Sequence, residues 1–374
     1  MKSINKKPRF IQNAGRTTLV LQISLLLTAM TTVHASDEGR AYTWDHVRLY
    51  AHLGIGDGLE PEQYSFLADH YDLITFTGGI IKDKDNVAVE PKIEYAARTI
   101  KERNPKAKVL FYWACDQRKH QWEISNASFP ENGYLEGGKR FNLDMQDVRD
   151  WWSDIAGQAV HKYSCDGIFV DGATSPRVKK ERLFSMVQDA KKKMGPDKII
   201  IFNALHGHDK NTPQMGEEYL LVTDGAMIDN FDRGSNVTLQ SAEYMANTIK
   251  AMRKAGKDGK IVVFKAWPGF TWWSAEEMMK RYRKTPEKIY DIAKERITFP
   301  LACFLVGAEP NCYFCYTWGW LGEHGTFYRY PEFDKPLGDP KGDAIQEGWT
   351  FQREFEHASV FVDLEIKYAK IDWK

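Results

Sequence analysis

Cys165-Asp166-Gly167-Ile168-Phe169-Val170-Asp171-Gly172 reads as a short buried strand that ends in a carboxylate. Asp224-Gly225-Ala226-Met227-Ile228-Asp229-Asn230-Phe231 repeats the design about 60 residues later. In each, three apolar residues precede an acid, and an acid there is costly unless it is hydrogen-bonded, paired or open to a mouth. Two such strands suggest two carboxylates delivered to one cleft.

Working outward, strand-like apolar runs cover 48–55, 73–78, 108–116, 166–171, 198–204, 225–230, 260–267 and 312–319. They are rich in Ile, Val, Phe and Tyr and do not alternate cleanly with polar residues, so both faces are expected to be covered. Helical patterns fill the intervals at 60–71, 93–104, 147–163, 177–194, 239–255 and 286–305. The fourth pattern stops at Gly195-Pro196, and Pro300 should kink or divide the last. Eight buried strands alternating with helices predict an α/β fold, a closed (β/α)8 TIM barrel. A doubly wound open sheet is the alternative, but the sequence has no Gly-rich dinucleotide loop and no phosphate loop to favour it.

The first residues are read apart from the barrel. Lys2, Lys6, Lys7, Arg9 and Arg16 form a basic leader, an apolar run follows over 19–33, and Val33-His34-Ala35 offers small residues for cleavage after Ala35. The pattern predicts a secretory signal at 1–35, too short for a membrane span, and a secreted or periplasmic protein with no membrane association afterwards. The barrel then occupies 36–320. A Gly-, Pro- and aromatic-rich stretch at 321–349 is expected to be a long functional loop. Residues 350–374 form a small C-terminal β segment, read as a hairpin with a turn near 365–367.

The chain has 51 basic and 51 acidic residues, and removing the five leader cations leaves 46 against 51. A mildly acidic surface argues against nucleic acid as a partner. Aromatic residues make up 13%, with 12 Trp. Sugars present flat C–H faces, so this tilts toward carbohydrate, although aromatics also fill cores. The five cysteines are odd in number, leaving at least one thiol free, and Cys312-x-x-Cys315 is read as a local disulfide or plain packing.

Barrel enzymes carry their chemistry at the C-terminal ends of the strands. Asp171 is the candidate nucleophile or charge stabiliser, unless it caps the next helix from the strand end, and Asp229 the candidate general acid/base, a pairing that suits glycoside hydrolysis. Asp232 is the alternative to Asp229, or a substrate ligand; otherwise either acid is a loop residue paired with Arg233. Asp116 is a candidate for sugar hydroxyls, unless it pairs with Arg118. Asn203 is a candidate for the hydroxyl beside the reacting carbon, unless it is a turn residue. Tyr50, Trp113, Trp267 and Trp318 are candidate substrate contacts, the three Trp as stacking platforms unless they belong to the core. His52 and Lys265 also fall near strand ends. Asp166 opens its strand and belongs to the opposite face. His52, His206 and His208 raise a zinc alternative, but their setting favours no metal, and the hydrolytic reading needs no cofactor.

At Asp166-Gly167-Ile168-Phe169-Val170-Asp171 and Asp229-Asn230-Phe231 the chain resembles glycoside hydrolase barrels related to family 114, the endo-polygalactosaminidases. It resembles more loosely the clan of families 27 and 36. In loosely similar families the strand-six acid is often Glu, where this chain has Asp229. Pro336-Leu337-Gly338-Asp339-Pro340, Arg353-Glu354-Phe355 and Val360-Phe361-Val362 are similar to the closing β segment of those barrels. The resemblance implies a hydrolase of polysaccharide or oligosaccharide with Asp171 as nucleophile or base and Asp229 as acid/base. The alternatives are a carbohydrate-binding protein on a degenerate barrel, and a polysaccharide lyase or deacetylase. Asn126-Ala-Ser128 and Asn236-Val-Thr238 fit the glycosylation pattern.

Overall fold

The computed structural model describes residues 43–79, 88–118, 121–138, 140–175, 178–213, 215–232, 239–273, 277–282 and 284–374. The leader, Arg233 and Asn236-Val-Thr238 lie outside these residues.

Eight parallel strands form one sheet in chain order: β1 Tyr50–Gly54, β2 Leu73–Thr77, β3 Lys108–Ala114, β4 Gly167–Asp171, β5 Ile199–Asn203, β6 Gly225–Ile228, β7 Ile261–Ala266 and β8 Cys312–Tyr316. The sheet closes on itself where Leu49 bridges Phe314 in parallel and the Phe314 N–H donates to the Arg48 carbonyl at 2.8 Å. A second seam lies higher up, where the Gly54 N–H donates to the Trp320 carbonyl at 2.8 Å. The expected (β/α)8 barrel is therefore present, each strand inside the interval the sequence suggests.

The helices are α1 Pro61–His70, α2 Glu90–Arg103, α3 Glu123–Asn126, α4 Gln146–His161, α5 Lys180–Met194, α6 Ala242–Lys257, α7 Glu277–Tyr282, α8 Pro286–Glu295 and α9 Thr298–Gly307. Between β5 and β6 the described residues form a 3₁₀ turn, Glu217–Leu221, in the place of a helix. The predicted last helix is divided, but not at Pro300. The break is at 296–297, and Pro300 lies in the first turn of α9, where its missing N–H has no intrahelical partner to lose.

The two Asp-Gly steps explain how the strands are set. The Asp166 Oδ2 accepts the Val109 N–H of β3 at 2.9 Å, and Lys101 of α2 lies 3.4 Å away. The Asp224 Oδ2 accepts the Ile200 N–H of β5 at 2.8 Å and pairs with Lys191 of α5 at 2.8 Å. The following glycines are required by close approach: a Cβ on Gly167 would lie 1.9 Å from the Ile199 carbonyl oxygen, and one on Gly225 2.3 Å from that of Ile261. These acids fix the lower rim of the barrel, as expected for Asp166.

The C-terminal segment is larger than a hairpin. Its four antiparallel strands are β9 Ile345–Glu347, β10 Thr350–Glu354, β11 Ala358–Asp363 and β12 Tyr368–Trp373, in the order β12-β11-β10-β9. The expected turn lies between β11 and β12. β9 comes out of the stretch expected to be loop, which also holds the 3₁₀ turns Gly322–His324 and Pro331–Asp334. Phe351, Val360 and Val362 point from this sheet into the core, and the sheet packs on α9, whose residues 300–307 are all buried. Arg353 fastens the contact, its Nη1 donating to the carbonyls of Leu305 at 2.9 Å and Ala308 at 2.6 Å at the end of α9. All five cysteines are free and buried. Cys312 and Cys315 stand three apart on β8, so they point to opposite faces and the local disulfide does not form.

Gly167→Ala should destabilise the fold by about 3 kcal/mol, the upper range of overpacking, because the obstacle is backbone rather than a side chain that can swing away. Urea unfolding of the variant against wild type measures this; a change within the error of the fit would contradict the close approach.

Candidate active site

Alternation along each strand decides which residues enter the lumen. The β3–β4 register pairs Ala114 with Asp171, β4–β5 pairs Val170 with Phe202, β5–β6 pairs Asn203 with Met227, and β6–β7 pairs Ile228 with Phe264. Carried one residue further, these registers set Asp171 beside Asn203 and Asp229 beside Lys265 at the C-terminal mouth. The pairs Tyr112 with Phe169 and His52 with Thr75 lie one layer below.

Contacts bear this out. The Tyr112 hydroxyl donates to the Asp171 Oδ2 at 2.5 Å, and the Asn203 amide donates to the Asp171 Oδ1 at 3.4 Å. Asn203 also acts on Asp229, so one amide stands between the two carboxylates. Burial pushes the Asp229 carboxyl up to about 6; Lys265 pulls it down, Asp171 adds to the rise, and the Asn203 amide opposes it. Its Oδ1 is buried without a hydrogen-bond partner.

Lys265 is fully buried. Its ammonium donates to the carbonyls of Ala266 at 3.1 Å and Thr317 at 2.5 Å and lies 3.6 Å from the centre of the Trp267 ring. Burial lowers its pKa to about 8, against the opposing pull of Cys315, Asp229 and Asp232. His52 is driven down to about 3 by burial, with Lys265 adding to the fall and Asp171 opposing it, so it is a neutral imidazole in this lumen. Its ring packs against Phe169 and Trp320, both at 4.8 Å.

The predicted site residues divide. Asp171, Asn203 and Asp229 come together. Trp267 supports them: its indole N–H donates to the Asp229 carbonyl at 3.0 Å. Asp232 lies one turn beyond Asp229, where its charge reaches Lys265. Asp116 stands behind Asp171, 2.5 Å from where a Cβ on Gly172 would be, and its ion pair is with Arg140, not Arg118.

Three of the aromatic candidates are buried. Trp113, 2% exposed, faces the helix layer, packing on Trp151 at 5.3 Å and donating to the Trp152 carbonyl. Its position follows from alternation: β3 sends Tyr112 into the lumen, so Trp113 must point out. Trp318 is fully buried against Phe270 and Tyr328. Tyr50, 1% exposed, sits below the mouth, where its hydroxyl donates to Thr75 at 2.7 Å and meets the His52 Nδ1 at 3.1 Å. The sequence reading missed Tyr112, Trp273 and Trp320. Tyr112 was within reach of a count in twos back from the Asp171 register. Of the metal candidates, His206 stacks on Tyr244 at 5.5 Å and His208 is exposed. Among the described residues no cluster of three or more His, Cys, Asp or Glu side chains is arranged to hold a metal.

Comparison with known proteins follows the barrel. An α-amylase from Geobacillus thermoleovorans, 11% identical, matches over 86% of this chain and 87% of its own, with a TM-score of 0.48. The maltogenic α-amylase AmyB from Thermotoga neapolitana, 10% identical, matches over 86% of each chain, with a TM-score of 0.47. A GH18 chitinase from Flavobacterium johnsoniae, 11% identical, matches over 77% of this chain and 92% of its own, with a TM-score of 0.43. No curated protein matches the sequence. The likenesses to family 114 and to the clan of families 27 and 36 remain expectations, while that to glycoside hydrolase barrels in general is met by a family model over residues 101–359. That match takes in Asp171, Asn203, Asp229 and Lys265, and it places the chain in hypothetical glycosyl hydrolase family 15, as a glycoside hydrolase on a (β/α)8 barrel.

Proposed function

We propose that this glycoside hydrolase cleaves a polysaccharide or oligosaccharide with Asp229 as general acid and Asp171 as its partner carboxylate. The observation that carries the reading is the asymmetry of the pair. Asp229 is pushed up to about 6, whereas Asp171 receives two hydrogen bonds, from Tyr112 and Asn203. One carboxyl is thus prepared to hold a proton and the other to hold a charge, the division of labour that glycoside hydrolysis needs.

In the reaction the Asp229 carboxyl gives its proton to the glycosidic oxygen as the bond from that oxygen to the anomeric carbon breaks. Positive charge grows on the sugar ring, and the Asp171 carboxylate faces it, attacking the carbon or taking a proton from the water that does. If Asp171 has bonded to the carbon, water then breaks that ester bond while Asp229 takes the water's proton; if Asp171 has instead taken the water's proton, it loses it to solvent and Asp229 regains one, so both carboxyls end as they began. A separation of roughly 5–5.5 Å between the carboxyls goes with retention and roughly 6.5–9.5 Å with inversion, so the anomer first released tells which role Asp171 takes. Neutral His52 below the mouth adds no charge to the pair. We also propose that the chain is exported, on the basic leader, the apolar run and the small residues around Ala35. No helix among the described residues is long and apolar enough to cross a membrane.

Asp171→Asn and Asp229→Asn should each lower reducing-end release from the responsive member of a polysaccharide panel by about 10³-fold, within the range for acid–base groups, with folding intact by circular dichroism. Activity that survives both changes would remove these residues from the mechanism. The general acid must be protonated, so kcat/KM should fall as pH rises through about 6. Lys265 holds the Asp229 value down, so Lys265→Met should move that limb to higher pH; a shift to lower pH would contradict the assignment.

A further inference from the structure

Trp273 is 51% exposed, while Trp267, against which it rests, is buried. Their rings meet nearly perpendicular, at 5.4 Å and 77°. Trp320, partly buried, meets Trp267 at 5.6 Å and 87°. The ammonium of Lys265 lies near both Trp267 and Trp320, at 3.6 and 5.3 Å from the ring centres. Trp267 thus meets both other indoles edge-on, and its N–H on the Asp229 carbonyl ties it to the active-site mouth. Leaving an indole face in water forfeits hydrophobic stabilisation. Among the described residues the only other exposed Trp is Trp349, at 38%, in the turn between β9 and β10.

We propose that Trp273 and Trp320 form a stacking wall for the leaving-group sugar, the pyranose whose glycosidic oxygen receives the proton of Asp229. The placement rests on Asp229 being the general acid, because the wall is fixed to that residue's own backbone. A pyranose offers one face of axial C–H bonds, which an indole covers without needing a matching polar group. A wall on this side serves a departing group that is itself a sugar, and the substrate class is then a glycan cut between two sugars.

Binding separates this wall from the chemistry. The full chain carrying Asp171→Asn would be applied to immobilised hexasaccharides: maltohexaose, cellohexaose, chitohexaose, its deacetylated form, mannohexaose and hexagalacturonate. Adding Trp273→Ala should weaken binding to the responsive glycan about tenfold, the scale of one aromatic contact. Trp273→Tyr should retain it, and Trp349→Ala should leave it unchanged. In the active enzyme, Trp273→Ala should raise KM for the polysaccharide while kcat holds. Unchanged affinity in Trp273→Ala, an equal loss in Trp349→Ala, or no binding to any of the six would overturn the wall. Lost affinity in Trp273→Ala together with full activity in Asp229→Asn would overturn the leaving-group placement and the acid assignment together. An inactive Asp229→Asn with an unaffected Trp273→Ala would overturn the wall alone.

Discussion

The carboxylates at the lower rim, Asp166 and Asp224, hold the barrel in the register on which the site depends. Each accepts the N–H of the preceding strand and draws in a lysine from the helix layer. Each also lies five residues before an acid at the mouth, Asp171 and Asp229. Five is odd, so alternation sends the lower acid outward to its lysine and the upper one into the lumen. A slip of one residue in either strand would reverse both and leave a bare carboxylate against the helices. One spacing thus serves stability at the bottom of the strand and chemistry at the top.

Much of this was legible in the sequence, because it is local. An acid after Ile-Phe-Val or Ala-Met-Ile is conspicuous in any context, and the eight apolar runs with their helical intervals have few ways to be buried. What escaped depends on register between strands far apart in the chain. Trp113 is the larger aromatic and stands nearer the strand end, yet it is Tyr112 that reaches Asp171. Trp318 and Trp320 are two apart on a turn where strand alternation no longer applies; the first is fully buried and the second reaches the mouth. Tyr50 has the right alternation but the wrong height. The four-stranded sheet was half visible: β10 to β12 alternate clearly, while β9 is three residues long and sits among loop-like neighbours.

The lumen gathers several ionisable groups whose ordinary charges burial opposes. Asp229 is moved up, Lys265 and His52 down, and in each the loss of water is the leading cause. Their mutual attractions only partly offset it. Shared burial therefore draws an acid and a base toward neutrality, where modest changes in surroundings alter who holds the proton. Tyr112 follows the same rule, its phenol pushed well up by burial and by Asp171, so it remains a donor to that carboxylate.

The docking of the C-terminal sheet on α9 bears on where this chain can be cut. α9 has no polar side facing water: one flank meets β7 and α6, the other meets β10, β11 and β12. A boundary drawn after β8 would leave that helix half wrapped, with an apolar flank and two carbonyls of its last turn stripped of Arg353. The closing sheet is accordingly not a separable module of this chain: it is the outer coat of the barrel's last helix, and a cut between them would turn a buried surface into an adhesive one.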